Sequence, residues 1–184
     1  GLIGVFVVLR GMSYIGHGLS HAVFGGAALA AVLNMSYFLG AGLWGLASGL
    51  MIGRVARKRI IGADAAIGVI TTASFAMGLA LQARFGQAKR SIDAVLFGNV
   101  LGVFTSDILA VAGVGILSVI VIIGLYRKLL FATFDPEVAG VSGVSVPAME
   151  AVLMVLLSAT ILVTVRVIGV LLISALLVLP AVTA

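Results

Sequence analysis

His17 and His21 are the chain's two histidines, in the run Gly16-His-Gly-Leu-Ser-His-Ala22. A spacing of four residues puts both on one face of a helix, one turn apart and within reach of one ion. Imidazole nitrogen suits zinc, copper, iron or nickel better than magnesium or calcium. Such a pair can also handle protons. The plainer alternative is two histidines hydrogen-bonded to backbone or hydroxyl groups of neighbouring helices. The same spacing serves in His-Glu-x-x-His metalloproteases, where the Glu is the general base. Position 18 is Gly, so that base is missing, and this counts against any hydrolase built on the pair. Two ligands do not complete a metal site. The rest must come from another helix, from water, or from chain beyond this stretch.

The elements that hold this pair are apolar. Of 184 residues, 62% are apolar and 9% charged. A soluble domain runs at about 45–50% apolar and about 25% charged. So little charge cannot cover a water-facing surface, and the mean hydropathy is +1.34. Both a soluble globule and a disordered chain are excluded, and the expected class is an all-α, polytopic transmembrane helix bundle. Cysteine is absent, which removes disulfides, thiolate metal sites and cysteine nucleophiles. A spanning helix needs about 20 apolar residues. Residues 1–9 read as the tail of a partial first helix. About six full spans follow, at 13–33, 37–53, 65–82, 107–125, 147–165 and 167–184. A polar stretch at 83–93 and a short apolar piece at 94–104 lie between the third and fourth of these. The chain opens on Gly1 inside one apolar run and stops after another, so both ends are expected to be cut.

Alternating spans place Arg10, Arg54, Arg57, Lys58, Arg59, Arg127 and Lys128 on one side and Arg84, Lys89, Arg90 and Arg166 on the other. Seven against four puts the first group in the cytoplasm. Counted as continuous helix from Arg10, His17 lies roughly 10 Å in and His21 roughly 16 Å in. That is near the middle of a hydrocarbon layer about 30 Å thick, where an ionisable residue is a functional hypothesis by default. Ala41, Gly45, Gly49 and Gly53 repeat every four residues, a small-residue ladder for close helix packing. The ladder serves either static packing or a helix that slides on its neighbour.

The run from Val8 to Gly26 (Val-Leu-Arg-Gly-Met-Ser-Tyr-Ile-Gly-His-Gly-Leu-Ser-His-Ala-Val-Phe-Gly-Gly) resembles the permease subunit of the zinc/manganese/iron ATP-binding-cassette importers. Asp64-Ala-Ala-Ile-Gly, Leu96-Phe-Gly-Asn, Phe134-Asp-Pro-Glu and the last span from Val167 match that family in the same order. The resemblance implies a single permease domain over 1–184, in the cell (inner or plasma) membrane. It implies a homodimer with a cytoplasmic ATP-binding subunit and an extracytoplasmic metal-binding protein. His17 and His21 would line the path of Zn2+, Mn2+ or Fe2+, carried as cargo by alternating access, with no permanently bound cofactor. Many members carry Asp where this chain has His17. The exchange removes a hard oxygen ligand and tilts preference from manganese toward zinc. The chain has no Gly-x-x-x-x-Gly-Lys-Ser/Thr loop, so ATP is not bound here by that route and no enzyme activity is expected.

Residues 129–146 form a segment on the cytoplasmic side. Asp135 is a good N-cap, Pro136 suits the first helical position and Glu137 the first turn. Gly140 and Gly143 limit this helix to about two turns. The resemblance makes it the coupling helix that docks on the ATPase; otherwise it is an ordinary capped connector. Asp64 is expected to cap the fourth helix and Glu150 to serve as a first-turn dipole partner. Asp93 and Asp107 bracket the 94–104 piece, as interfacial caps or as cation-attracting groups. Competing functions are a siderophore or cobalamin permease, an intramembrane metalloenzyme, and a bundle that only assembles other subunits.

Overall fold

The computed structural model describes residues 2–12, 14–58, 61–85 and 102–182. These fold into α1 (Leu2–Leu9), α2 (Ile15–Val32), α3 (Tyr37–Arg57), α4 (Ala63–Phe85), α5 (Thr105–Phe134), α6 (Pro136–Val141) and α7 (Val146–Val182). Among the described residues, five helices are long and apolar enough to cross a membrane: α2, α3, α4, α5 and the Val146–Val165 part of α7. Leu96-Phe-Gly-Asn, Asp93, Arg59, Lys89 and Arg90 lie outside the described residues.

Turn chemistry sets the ends of the early helices. Gly11 takes φ +66°, and Gly11 N–H and Met12 N–H donate to the Val8 and Val7 carbonyls, closing α1. Glycine adopts that backbone readily because it has no Cβ, and Asn is the usual second choice. Asn34 plays the same part after α2, with φ 53°. The Ser36 hydroxyl accepts from Leu39 N–H and caps α3.

α2 is the central helix, with 67% of its apolar window buried, whereas α5 has 11% of its own covered. α2 packs against α3, α4 and α7. Ile15, Leu19, Val23, Ile52, Met154 and Leu157 form the middle of the core. Ile108, Ile116, Ile120 and Ile123 of α5 point outward. A helix with so apolar an outer face needs an apolar solvent, and lipid supplies it.

The helices differ from their expected limits in four places. Arg10, Gly11, Met12 and Tyr14 lie outside helix and α2 begins at Ile15, so His17 and His21 fall in its first two turns. α5 runs on past Tyr126-Arg127-Lys128 to Phe134, because Leu129 and Ala132 are buried in the bundle. Within 129–146, the separate helix is therefore α6 alone. The break in the last apolar stretch falls at Gly169, with φ 76° and ψ 170°, and not at Arg166. Finally, α4 begins at Ala63, so Asp64 lies inside the first turn. It acts there on the helix dipole and is not the N-cap.

Candidate functional site: a histidine pair beside a charged clamp

α2 carries both histidines on the side that meets α4. The two Nε2 atoms are 3.0 Å apart. The rings stand edge to face, 4.4 Å between centroids. The His21 ring also meets Phe75 of α4 edge-on at 4.6 Å, and Tyr14 lies 5.0 Å from the His17 ring. Phe75 is the thirteenth residue of α4, so His21 sits level with the midpoint of that helix, consistent with an intramembrane depth. Both imidazoles are half-buried.

Gly18 lies between the pair and faces α4. A Cβ there would come within 2.6 Å of Ile67 Cγ2 and 3.0 Å of Thr71 Cγ2. Position 18 is glycine because two helices meet at it, and a glutamate general base has no room. Ser20 is fully buried, and its hydroxyl donates to the His17 carbonyl at 2.7 Å, which satisfies it within α2.

Two nitrogens sharing one ion at about 2.1 Å, with ligand angles between square and tetrahedral, stand about 2.9–3.4 Å apart. The observed separation falls in that range. It equally suits one neutral imidazole donating to the other. Among the described residues no third His, Asp or Glu joins them. The buried Nδ1 of His21 also has no hydrogen-bond partner among the described residues. A ligating histidine is usually held by a partner on its second nitrogen, and losing that partner weakens binding about 10–100-fold. The pair thus offers two nitrogens and, among the described residues, no partner that holds the second nitrogen of His21.

The glycine ladder of α3 lies on this core. A Cβ on Gly45 would be 2.7 Å from Val23 Cγ2, one on Gly49 2.8 Å from Ser158 Oγ, and one on Gly53 3.5 Å from Met154 Cγ. The ladder therefore contacts α2 at one end and α7 at the other. In α6, Asp135 Oδ1 accepts from Val138 N–H at 3.0 Å. Pro136 holds a first-turn position beside Glu137. Gly140 lies inside the helix with nothing within 4 Å of its Cβ direction, and Gly143, at φ +81°, turns the chain away. Asp107 Oδ2 accepts from Phe104 N–H, so Asp107 is part of a cap.

Glu150 departs from its expected role. α7 begins at Val146, so Glu150 lies past the first turn. Its Oε1 is 3.3 Å from Arg10 Nη1 and its Oε2 3.5 Å from Arg57 Nη1. Arg10 Nε donates to Thr133 Oγ1 at 3.2 Å. The Arg10 side chain is only 9% exposed. Burial lowers its pKa from the ordinary arginine value, and the Glu150 carboxylate opposes that fall. Neither this cluster nor Phe75 is marked by any spacing or motif, because the partners are far apart along the chain. The one available signal was an acid bordering an apolar run.

The model of the ABC 3 transport family matches residues 1–184. The chain belongs to this family. Its fold agrees: the solved PsaBC of Streptococcus pneumoniae, in complex with Fab, superposes with a TM-score of 0.80 at 37% identity over 98% of this chain and 65% of that one. The manganese transport system membrane protein MntC of Halalkalibacterium halodurans is 38% identical over the whole chain. The manganese import system permease protein ScaB of Streptococcus parasanguinis is 40% identical. The chain spans 63% and 65% of the lengths of these two relatives. This ABC 3 chain is a multi-pass membrane protein.

Proposed function

We propose that these residues form the core of the permease subunit of an ATP-driven importer for divalent transition-metal ions in the plasma membrane. The observation that carries this is the His17–His21 pair, with Nε2 atoms 3.0 Å apart on the most enclosed helix of an ABC 3 bundle. The pair takes the ion transiently as cargo and passes it on as the bundle opens to alternate sides. The light support of His21 favours release over retention. The chain carries no chemistry of its own in this scheme. A cytoplasmic ATP-binding subunit supplies energy through α6, with Asp135, Pro136, Glu137 and Gly140 shaping the docking helix. An extracytoplasmic protein delivers the metal, and two permeases pair as a homodimer. Residues 1–184 act as one transmembrane domain. The glycine ladder at Gly45, Gly49 and Gly53 keeps α3 close enough to move with α2 and α7.

Manganese is the first candidate cargo, since MntC and ScaB are named for it. Zinc is the second, because the pair offers two nitrogens and, among the described residues, no carboxylate joins them.

The test is cellular metal content by mass spectrometry in an importer-deficient host. The host carries the full-length permease, its ATPase and its binding protein. A rise in one metal that His17→Ala with His21→Ala abolishes, at equal protein level, supports the proposal and names the cargo. Equal accumulation in wild type and double variant removes the histidines from the path. No accumulation in wild type points to a larger ligand, of the siderophore or cobalamin type.

A further inference from the structure

The clamp around Arg10 has a feature that packing alone does not require. α6 has two flanks, and both grip the same guanidinium. On the incoming side, Thr133 stands in the last turn of α5, two residues before the Asp135 cap. Its hydroxyl donates to the Leu129 carbonyl at 2.7 Å and accepts from Arg10 Nε at 3.2 Å. On the outgoing side, Glu150 stands in the second turn of α7, with Oε1 3.3 Å from Arg10 Nη1. Arg10 itself sits where α1 joins α2. Its backbone N–H donates to Phe6 O, and Met12 O accepts from Ile15 N–H at the start of α2. Met12 and Ile15, which follow Arg10 and precede His17, are both buried in the bundle. Arg57, more exposed at 41%, ties the end of α3 to the second Glu150 oxygen and adds less.

We propose that Arg10 is the positioning residue through which movement of α6 reaches the helix that bears His17 and His21, with Glu150 and Thr133 as its two handles. This rests on the importer function proposed above. A buried ion pair is weak evidence of stability in itself. Two handles on opposite flanks of one short helix are what transmission needs, since they give a shift of α6 a route to Arg10 from either side. A planar guanidinium holds both partners at fixed angles, and a lysine ammonium does not reproduce that fork.

The experiment uses the full-length permease with its ATPase and binding protein in proteoliposomes, supplied with Mn2+ or Zn2+. Wild type, Arg10→Lys and Glu150→Gln are compared for ATP hydrolysed and for metal moved. Both variants are expected to hydrolyse ATP at close to the wild-type rate while metal moved per ATP falls about tenfold, inside the usual range of coupling between sites. Unchanged metal per ATP overturns the proposal. So does a parallel fall of hydrolysis and transport, which marks a merely structural role.

A second measurement does not depend on the cargo. The described stretch has no cysteine to compete for label. Spin labels go on Val141→Cys in α6 and Leu33→Cys at the far end of α2, both exposed. In the wild-type background their distance is expected to stay constant between nucleotide-free and ATP-trapped complexes. With Arg10→Lys it is expected to change, because α6 then moves alone. The same behaviour in both backgrounds overturns the proposal. A distance that depends on Arg10 in a complex that moves no metal would overturn the cargo assignment and leave the transmission role standing.

Discussion

Gly78 of α4 and Gly25 of α2 meet backbone to backbone: a Cβ on Gly78 would lie 2.8 Å from the Gly25 Cα. Gly25 in turn abuts the Ser74 carbonyl. This contact sits one turn beyond Phe75 and His21, and it sets how closely α4 covers the histidine pair. Backbone has no rotamer with which to yield. Gly78→Ala is therefore expected to destabilise the permease by about 1–3 kcal/mol. Gly113→Ala, where nothing lies within 4 Å, is the control and should be neutral or mildly stabilising. Thermal unfolding of the purified permease in detergent compares them. Equal melting temperatures for the two variants would refute a tight α2–α4 seam.

Phe75 orients the His21 ring by an edge-to-face contact. Such contacts contribute about 0.5–1.5 kcal/mol. Phe75→Leu keeps the apolar volume and loses the ring. Metal affinity measured by titration calorimetry should fall about 2–10-fold. Affinity equal to wild type would mean that Phe75 only packs.

Acidification should weaken metal binding. An imidazole must be neutral to ligate, so protons and metal compete for the same Nε2 atoms, and binding releases protons. Two nitrogens 3.0 Å apart also cannot both carry a proton toward each other without repulsion. The sign is therefore loss of affinity as pH falls. Titrations in buffers of different ionisation enthalpy report the released protons. Affinity independent of pH would exclude histidine ligation.

Gly169 breaks α7 at φ 76° and ψ 170°, a region essentially reserved for glycine. Gly169→Ala should cost about 1–3 kcal/mol, or force the kink straight. Either result lowers transport in the metal-content assay and shifts thermal unfolding. Full activity with unchanged melting would show that the break is dispensable.

A large part of this molecule was legible before any coordinates. The apolar runs announced the helices, since lipid permits few other solutions for a chain so poor in charge. The His17–His21 spacing announced a shared face, because helix periodicity is local. Asp135, Pro136 and Glu137 announced α6 for the same reason: a cap is made within a few residues. Helix limits were read less well. The turn that closes α1 depends on the backbone of Gly11, and α5 continues past its charged residues because Leu129 and Ala132 find partners in other helices.

Composition and local pattern are enough to establish the class, the membrane setting, the shared helix face of the two histidines and the capped short helix. Packing of distant segments is what brings Phe75 over His21, turns Gly18 toward α4, and joins Glu150 to Arg10 across 140 positions rather than leaving it to its own helix dipole. Those relations arise from which helix faces come together. Such contacts between distant segments leave no periodic trace in the chain.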